Sequence, residues 1–321
     1  MDKKIPIRLD KYLLAGFPQY SRAYLKEQIK LGNFLVYPER SQGTIGKKVK
    51  PSYILRQGDA VALAPDFTLP DTTKILPNPD IKLETIYEDD NVLVISKPAG
   101  LTVHPRQDKN GLPLASELNN TLASGLLARC PAIAAVGDSP ALRPGIVHRL
   151  DKDTSGVIIA AKNQKSFTWL KKQFKERKTK KKYIALVAGK LKEKSGEIKI
   201  FLARAKSDPA KQKVVKNGGK EAITEYQVIK EFNLYSLLEA SPRTGRLHQI
   251  RVQLAWLGHP VAGDKKYGSQ KLPIPSGLSR QFLHAEKLAI TLPDGQKRVF
   301  EAPLPADLKN VLNALENKQN L

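Results

Sequence analysis

The chain has 321 residues, of which 41% are hydrophobic, so it can form about two packed domains and is too apolar for a disordered protein. A single cysteine, Cys130, excludes an internal disulfide and a multi-thiolate metal site. The 54 Lys and Arg residues against 31 Asp and Glu give a formal net charge of +23, which favours a polyanionic partner: RNA, DNA or an anionic membrane. A solvated lysine surface in a generally basic proteome would explain the same charge.

The apolar runs argue against a membrane protein, because they are shorter than the roughly 18 residues that a bilayer-spanning helix needs. The first residues include lysines but no apolar stretch and no small-residue cleavage site. We therefore expect no signal peptide, no membrane association and a cytoplasmic protein.

The first predicted domain covers residues 1–64. Leu9, Leu13 and Leu14 recur at helical spacing, and a second helical pattern follows Ser21, a candidate N-cap residue. Strand-like residues follow at 53–55, then a Gln-Gly-Asp turn and a further apolar pair. Residues 1–63 contain 12 basic and 5 acidic side chains by count. These features predict a small basic α+β domain.

Residues 65–82 are predicted to form a linker. Pro65, Pro70, Pro77 and Pro79 lie close together, separated by Asp and Thr residues, which is typical of an extended and semi-rigid segment. The alternative is an ordered loop that packs against one of the two domains.

The remaining chain, residues 83–321, is predicted to be one larger α+β domain. Helical patterns occur at 167–174 and 247–257, and the last residues, from Lys309 onward, are polar and permit a helix. The connections between apolar strand-like runs are mostly too short for parallel crossovers, so we expect a largely antiparallel sheet. The predicted strands lie at 91–95, 157–161, 183–191, 197–203, 222–229 and 235–240.

Three short segments of this domain carry candidate catalytic side chains. Asp151 lies in a polar loop directly before an apolar strand, an arrangement that can fix a carboxylate, although most such aspartates are surface or capping residues. Arg251 lies on a helix with a core face and needs a carboxylate partner, for which Asp151 is a candidate. His248, three residues earlier, would share a second face of that helix. Tyr183 opens a strand after three lysines and could pack in the core or stack on a base.

A basic segment lies between these candidates. Residues 162–182 hold ten Lys or Arg residues and one Glu by count. Phe167, Leu170 and Phe174 form the predicted core stripe of its helix, which directs the lysines outward. We interpret this face as a phosphate-contacting surface, and an ordinary solvated helix face is the alternative.

Taken together, these motifs resemble the pseudouridine synthases of the RluA family. Over residues 83–304 the resemblance rests on separate motifs: Tyr87–Asp90, Lys97–Pro105, His148–Gly156, Gly245–Arg251, Gly258–Asp264, Tyr267–Gly268 and Leu283–Ala285. Residues 8–63 are more loosely similar to the small RNA-binding fold first known from a small-subunit ribosomal protein, the S-four domain. The resemblance implies an isomerase acting on RNA, without a metal ion or other cofactor, and we expect a monomer.

Carried over by position, the resemblance implies that Asp151 is the catalytic carboxylate, Arg251 its ion-pair partner and Tyr183 the side chain that stacks on the target uracil. Arg149 resembles the family residue that fills the gap when the base is flipped out. The sequence departs from the family pattern at Leu247, where threonine is usual, and at residues 157–159, where leucines are common. Further predicted substrate-binding residues are His148, Arg246 and His248.

The target and two different functions remain open at this point. The basic N-terminal domain favours ribosomal RNA of the large subunit, and transfer RNA is the alternative substrate. A non-catalytic RNA-binding factor for ribosome assembly could retain the fold, although the presence of Asp151, Tyr183 and Arg251 together argues against it. A glycosidic hydrolase would call for a second positioned carboxylate, for which the motifs supply no obvious candidate beyond Asp153, a residue better explained as a turn cap.

Overall fold

The computed structural model describes residues 6–18, 20, 22–39, 46–69, 71, 73–107, 113–205, 208, 210–268 and 273–317. The predicted N-cap Ser21 lies outside the described residues, as do Pro70 and Thr72 of the predicted linker. Among the described helices, none has the length and apolar character to cross a bilayer.

The N-terminal region consists of two helices and four short strands around a small core. The helices are α1 (Leu9–Gly16) and α2 (Arg22–Leu31). The strands pair antiparallel as β1 (Ile7–Arg8) with β3 (Ile54–Leu55) and as β2 (Phe34–Tyr37) with β4 (Ala60–Leu63). The core of this region continues onto three side chains of the following body, Ala115, Leu118 and Leu142. The N-terminal region therefore packs against the body rather than standing clear of it.

The segment after residue 72 is an ordered loop on the body. The Ile75 N–H donates to the Ala141 carbonyl at 2.8 Å, and the Leu76 N–H donates to the Leu118 carbonyl at 2.8 Å. This part of the predicted linker thus has the ordered form that the sequence left as the alternative.

A single ten-stranded sheet forms the body, as expected for an α+β protein with a mainly antiparallel mixed sheet. Its strands lie in the order β10-β9-β11-β12-β8-β13-β7-β6-β5, and β14 pairs with β13. The strands are β5 (Glu84–Glu88), β6 (Val92–Lys97), β7 (Ser155–Ala161), β8 (Lys180–Ala188), β9 (Ser195–Arg204), β10 (Gln212–Val215), β11 (Lys220–Glu231), β12 (Tyr235–Pro242), β13 (Leu283–Thr291) and β14 (Lys297–Glu301). All six strands predicted for the body overlap observed strands, whereas β5, β10, β13 and β14 were not predicted.

The sheet joins two hydrophobic cores along one seam. One core surrounds β6 and β7, and the other surrounds β8, β9, β11 and β12. The seam is the pairing of β7 with β13, the one parallel pairing between the named strands, with His284 opposite Ser155 and Ala285 opposite Gly156. Gly156 has φ 123°, and a Cβ there would collide with the Ala285 carbonyl, so the seam requires glycine at this position.

Four helices pack on the body: α3 (Leu122–Arg129), α4 (Gln164–Lys175), α5 (Gln249–Trp256) and α6 (Ala306–Asn317). Asn163 caps α4 by accepting a hydrogen bond from the Ser166 N–H at 2.9 Å. The predicted helix at 247–257 begins two residues late, because His248 has φ 54° and α5 starts at Gln249. The expectation that His248 and Arg251 share a helix face was therefore wrong, although both residues line the same cavity.

Candidate active site

A cavity of about 640 Å³ opens where the loop before β7, the end of α4, the start of β8 and the turn before α5 meet. Its lining includes all seven predicted site residues: Asp151, Tyr183, Arg251, Arg149, His148, Arg246 and His248. The fold thus brings together side chains that lie as much as 103 positions apart, from 148 to 251.

The loop that carries Asp151 is anchored from below by a buried lysine. Lys97 is 1% exposed, and its Nζ donates to the carbonyls of Pro98, Leu101 and Lys152 at 2.7, 2.9 and 3.1 Å. Burial lowers the pKa of Lys97 to about 7, against the charges of Asp153 and Asp151, which raise it. Three carbonyl acceptors use all three N–H bonds of the ammonium, so this side chain fixes the loop and is closed to a substrate.

Arg251 connects two carboxylates at the base of the cavity. Its Nη1 donates to Asp151 Oδ2 at 2.8 Å, while Nε and Nη2 donate to Asp264 Oδ2 and Oδ1 at 2.7 and 2.8 Å. The side chains of Asp264, Arg251 and Asp151 are 0%, 5% and 16% exposed, respectively. We call this trio the floor of the site. Its formal charge is −1, so the arginine orients Asp151 while one net negative charge remains.

Asp264 is a site residue that was not predicted from the sequence. Besides Arg251, it accepts hydrogen bonds from the backbone N–H groups of Lys266 and Tyr267 at 2.8 and 3.1 Å. Burial would raise the pKa of Asp264, but the bonds from Arg251 and these amides outweigh it and hold the pKa below its usual value. The signal in the sequence was only its place in the Gly258–Asp264 motif.

Tyr183 and His248 enclose Asp151 from two sides without adding charge. Burial, together with the Asp151 charge, raises the pKa of Tyr183, so the side chain remains a neutral phenol. His248 Nε2 lies 4.0 Å from Asp151 Oδ1, and its Nδ1 is hydrogen bonded to the Tyr267 hydroxyl at 2.8 Å. Burial lowers the pKa of His248 to about 4, so the ring is neutral at pH 7.

Arg149 extends from the same loop into solvent and is held by a histidine. Its Nη1 donates to His104 Nε2 at 3.2 Å, so the His104 Nδ1–H donates to the Pro105 carbonyl at 3.0 Å. Burial and then the Arg149 charge lower the pKa of His104 to about 4, which keeps Nε2 available as an acceptor. His104 is 5% exposed. Nothing in the sequence singled out His104 apart from its place in the Lys97–Pro105 motif.

His148 and Arg246 lie farther from the floor, on the wall of the cavity. His148 Nε2 accepts from the Ile159 N–H at 3.0 Å, and its ring stacks on Phe174 with centroids 4.5 Å apart. Burial, and then the charge of Lys181, lowers the pKa of His148 to about 3. Arg246 Nε donates to the Glu221 carbonyl at 3.0 Å, and the side chain lines the cavity.

The rim of the cavity is basic. Lys171, Lys175 and Arg177 come from the C-terminal part of α4 and the residues just after it, while Arg204 ends β9 and Arg243 directly follows β12. Within the described ranges, no group of three or more His, Cys, Asp and Glu side chains could hold a metal ion. The arrangement presents one oriented carboxylate in a partly closed cavity that has a cationic opening.

Comparisons of the chain with known proteins identify a family. The model of the family described as RNA pseudouridylate synthase matches residues 91–256. A relative from Aquifex aeolicus, named as an uncharacterized RNA pseudouridine synthase, is 40% identical, with 96% of this chain and 94% of the relative covered. A protein of Neisseria meningitidis serogroup B, named ribosomal large subunit pseudouridine synthase D, is 37% identical, with 98% and 80% covered.

Solved structures give the same fold. The human protein RNA pseudouridylate synthase domain containing 4 superposes with a TM-score of 0.55 at 27% identity, covering 73% of this chain and 93% of its own. Human RNA pseudouridylate synthase domain containing 1 gives a TM-score of 0.58 at 24% identity, covering 75% and 89%, and supports the fold alone.

Proposed function

The chain belongs to the RNA pseudouridylate synthase family, and we propose that it converts specific uridines of large-subunit ribosomal RNA to pseudouridine with Asp151 as the catalytic carboxylate. The enzyme is an isomerase that makes pseudouridine in RNA. The orientation of Asp151 by Arg251 argues against the alternative of a non-catalytic assembly factor, which would not need it.

The observation that carries the proposal is the floor of the site. A 2.8 Å bond from the buried Arg251 aims Asp151 into a cavity lined by Tyr183 and a neutral histidine. Because Nε and Nη2 of Arg251 are bonded to Asp264, Arg251 reaches Asp151 only through Nη1 and Oδ2. The other carboxylate oxygen of Asp151, Oδ1, remains available to the substrate. A carboxylate so placed can act as a nucleophile toward the sugar or the base, or can accept a proton, and each of these roles requires it to be ionised.

The partly closed cavity suits an isomerisation in which uracil is detached, rotated and reattached through carbon. Water near the detached sugar would lead to hydrolysis instead, so the apolar and aromatic walls have a chemical purpose. Tyr183 supplies the stacking surface for the base. Its raised pKa keeps it a phenol, which avoids a second negative charge beside Asp151.

Entry into this cavity requires the uridine to leave its stack, at a cost of a few kcal/mol. Arg149, exposed and connected to the body through His104, is placed to occupy the space that the base leaves. The cations of the rim neutralise RNA phosphates, so RNA affinity should fall steeply as salt is raised.

Ribosomal RNA of the large subunit is the proposed substrate class for two reasons. Several relatives, of whose own length 80%, 90% and 88% is covered, carry that substrate in their names. The N-terminal region is basic and lies on the body as an accessory RNA-binding unit would. We keep residues 1–64, 65–82 and 83–321 as the proposed division of the chain.

The test is to map pseudouridines in total RNA from cells with and without this gene, and then to add the purified enzyme to the deficient RNA. We expect one or more large-subunit positions to lose pseudouridine and to regain it with the enzyme. Loss confined to transfer RNA would replace the proposed substrate, and no change in any RNA would contradict the proposal.

A further inference from the structure

Lys181 differs from the two lysines beside it on β8. Its side chain faces the cavity, as does that of Tyr183 two residues later. Lys182 points to the opposite face, where it pairs with Glu239 at 2.9 Å. Lys180 is exposed. Three consecutive lysines thus have three different surroundings, and only the middle one is turned toward the site.

Lys181 carries its charge into the cavity without a counter-ion. Its Nζ donates one hydrogen bond, to the Thr244 carbonyl at 3.2 Å, and in the described part of the chain no carboxylate lies within 4 Å of it. A Cβ on Gly245 would be 4.0 Å from this nitrogen, so the ammonium rests against the turn before α5. Two further N–H bonds remain for a ligand.

Neither His148 nor Arg177, two neighbouring polar side chains, can supply the charge in place of Lys181. His148 accepts the Ile159 N–H on Nε2, so its proton is on Nδ1 and the ring is neutral. Arg177 is exposed at the rim and lies 3.9 Å from Glu221. Burial lowers the pKa of Lys181 to about 8, and the group is still mostly protonated at pH 7. A half-buried cation of this kind is incomplete without an anion.

The spacing of Lys181 and Tyr183 along β8 indicates the kind of anion. Residues two apart on a strand are separated by about 6.6–6.8 Å. This is comparable to the span from a nucleobase to the phosphate of its own nucleotide. The cavity of about 640 Å³ also exceeds what a uracil ring alone would fill.

We propose that Lys181 forms a phosphate subsite, which binds a phosphate group attached to the target uridine while its base lies against Tyr183. The inference rests on the proposed function for the identity of the base and deepens it by naming the second group of the substrate that the cavity holds. Lys181 is thereby a binding residue for the reacting nucleotide, distinct from the rim cations, which meet the RNA strand outside.

Three small probes separate this subsite from the reaction: uridine, uridine 5′-monophosphate and uridine 3′-monophosphate. Their dissociation constants for the full chain can be measured by ligand-observed NMR titration, which requires no turnover and no knowledge of the natural target. We expect one of the monophosphates to bind at least tenfold more tightly than uridine, and the comparison of the two identifies which phosphate is held.

Lys181→Gln should reduce this preference for the monophosphate to nearly one and leave uridine binding unchanged, whereas Lys181→Arg should retain most of it. Lys182→Gln is the matched control, because it removes the same charge from the other face of the strand. The circular dichroism spectrum of each variant reports on folding, and the Lys181→Arg result keeps the test valid if Lys181→Gln is unstable.

The proposal is overturned if no monophosphate is preferred over uridine, if Lys181→Gln retains the preference, or if Lys182→Gln loses it equally. Its failure is distinct from failure of the proposed function. An enzyme that restores pseudouridine but shows no phosphate preference contradicts only the subsite, and a phosphate preference in a protein that modifies no RNA contradicts only the function.

Discussion

Two arginines of the candidate active site, Arg251 and Arg149, are held in opposite ways. Arg251 is 5% exposed and is fixed by three short bonds to two carboxylates, one of them fully buried. Arg149 is exposed and has one side-chain bond, to a neutral imidazole. Asp151, Arg251 and Asp264 of the floor therefore hold one another in place. The Arg149 side chain has to break only its hydrogen bond to His104 to move. The proposed reaction needs a fixed arginine to orient the Asp151 carboxylate. It also needs a less constrained arginine to occupy the space that a flipped base leaves.

Asp151→Asn, which removes the charge at the point where floor and substrate meet, should have the largest effect. We expect a loss of kcat on the order of a thousandfold or more, with RNA affinity and folding retained, because the side chain keeps its shape and loses its charge. Single-turnover assays on RNA that contains a mapped target will measure it. Asp153→Asn, two residues along the same loop, is the control. Substantial turnover by Asp151→Asn would sink the catalytic assignment.

Asp264→Asn tests whether the floor depends on the second carboxylate. The Asn amide cannot accept two bonds from Arg251, so Arg251 should shift toward Asp151 and misplace it. We expect a fall in kcat of about a hundredfold with a smaller change in KM, and a loss of stability of about 3–5 kcal/mol.

The control for this variant is Asp307→Asn, which breaks another two-bond arginine–aspartate pair, with Arg280, outside the cavity. Both variants should lose stability, but kcat should fall much further in Asp264→Asn, because Arg280 can keep its bonds to the Asp153 carbonyl and the Ser155 hydroxyl when Asp307 is changed. Equal activity in the two would show that the floor tolerates an arginine held by Asp151 alone.

Arg149→Met should affect the flipping of the uridine rather than the position of Asp151 in the floor. The variant loses the side chain proposed to fill the gap in the stack, so uridine flipping becomes less favourable. We expect kcat/KM to fall by about tenfold, equivalent to about 1.4 kcal/mol. Arg129→Met removes an exposed arginine that pairs with Glu88 and is the control. A thousandfold loss would place Arg149 in the chemistry and erase the distinction between the two arginines.

Deleting residues 1–64 should weaken RNA binding by several-fold, reduce its salt dependence and leave a cooperatively folding body. The removal of cationic side chains lowers the number of phosphates that are neutralised. Fluorescence anisotropy across a salt series will measure binding, and thermal unfolding will report on the fold. Because the N-terminal core reaches Ala115, Leu118 and Leu142, an unfolded remainder is the result that would reject the proposed division.

A drop in pH should destabilise the folded protein through its buried, neutral histidines before it neutralises Asp264 of the floor. Burial lowers the pKa of His104 to about 4 and that of His148 to about 3, from an ordinary value of 6.5. Between these values and pH 6.5 the unfolded chain binds more protons than the folded one, so stability falls as the pH drops. The pKa of Asp264 lies below its usual 3.8, so its pair with Arg251 is still charged at pH 5.

The measurement is the urea midpoint at pH 7.5, 6 and 5. The loss can reach about 1.4 kcal/mol for each pH unit and each histidine. His104→Asn removes one titrating group and should reduce the slope. A midpoint that stays constant between pH 7.5 and 5 would contradict the neutral state of these histidines.

The sequence allowed the pairing of Arg251 with Asp151 to be anticipated, because an arginine on a core-facing helix requires a carboxylate. It could not reveal that Arg251 has two such partners. The demand for a counter-ion is satisfied by one aspartate, so nothing in the pattern called for Asp264. Likewise, apolar runs located six strands of the body, whereas their order depends on contacts between residues far apart in the chain.

Local conformation was the other limit. The periodicity of Leu247, Ile250 and Leu254 favoured a helix that included His248. The left-handed backbone at His248 arises from tertiary contacts, among them its bond to Tyr267, which helix periodicity does not record. His104 was equally hidden, since its role depends on its burial beside an arginine 45 positions later.

The seam between β7 and β13 also sets the order in which the site can be assembled during synthesis. Asp151 precedes β7, and Tyr183 lies on β8, but in the sheet these two strands are separated by β13, which is made about a hundred residues later. A nascent chain that has been made only as far as Arg251 lacks β13, the strand that lies between β7 and β8 and pairs with both. Asp151, Tyr183 and Arg251 therefore reach their final positions only after β13, which contains none of them, has been made.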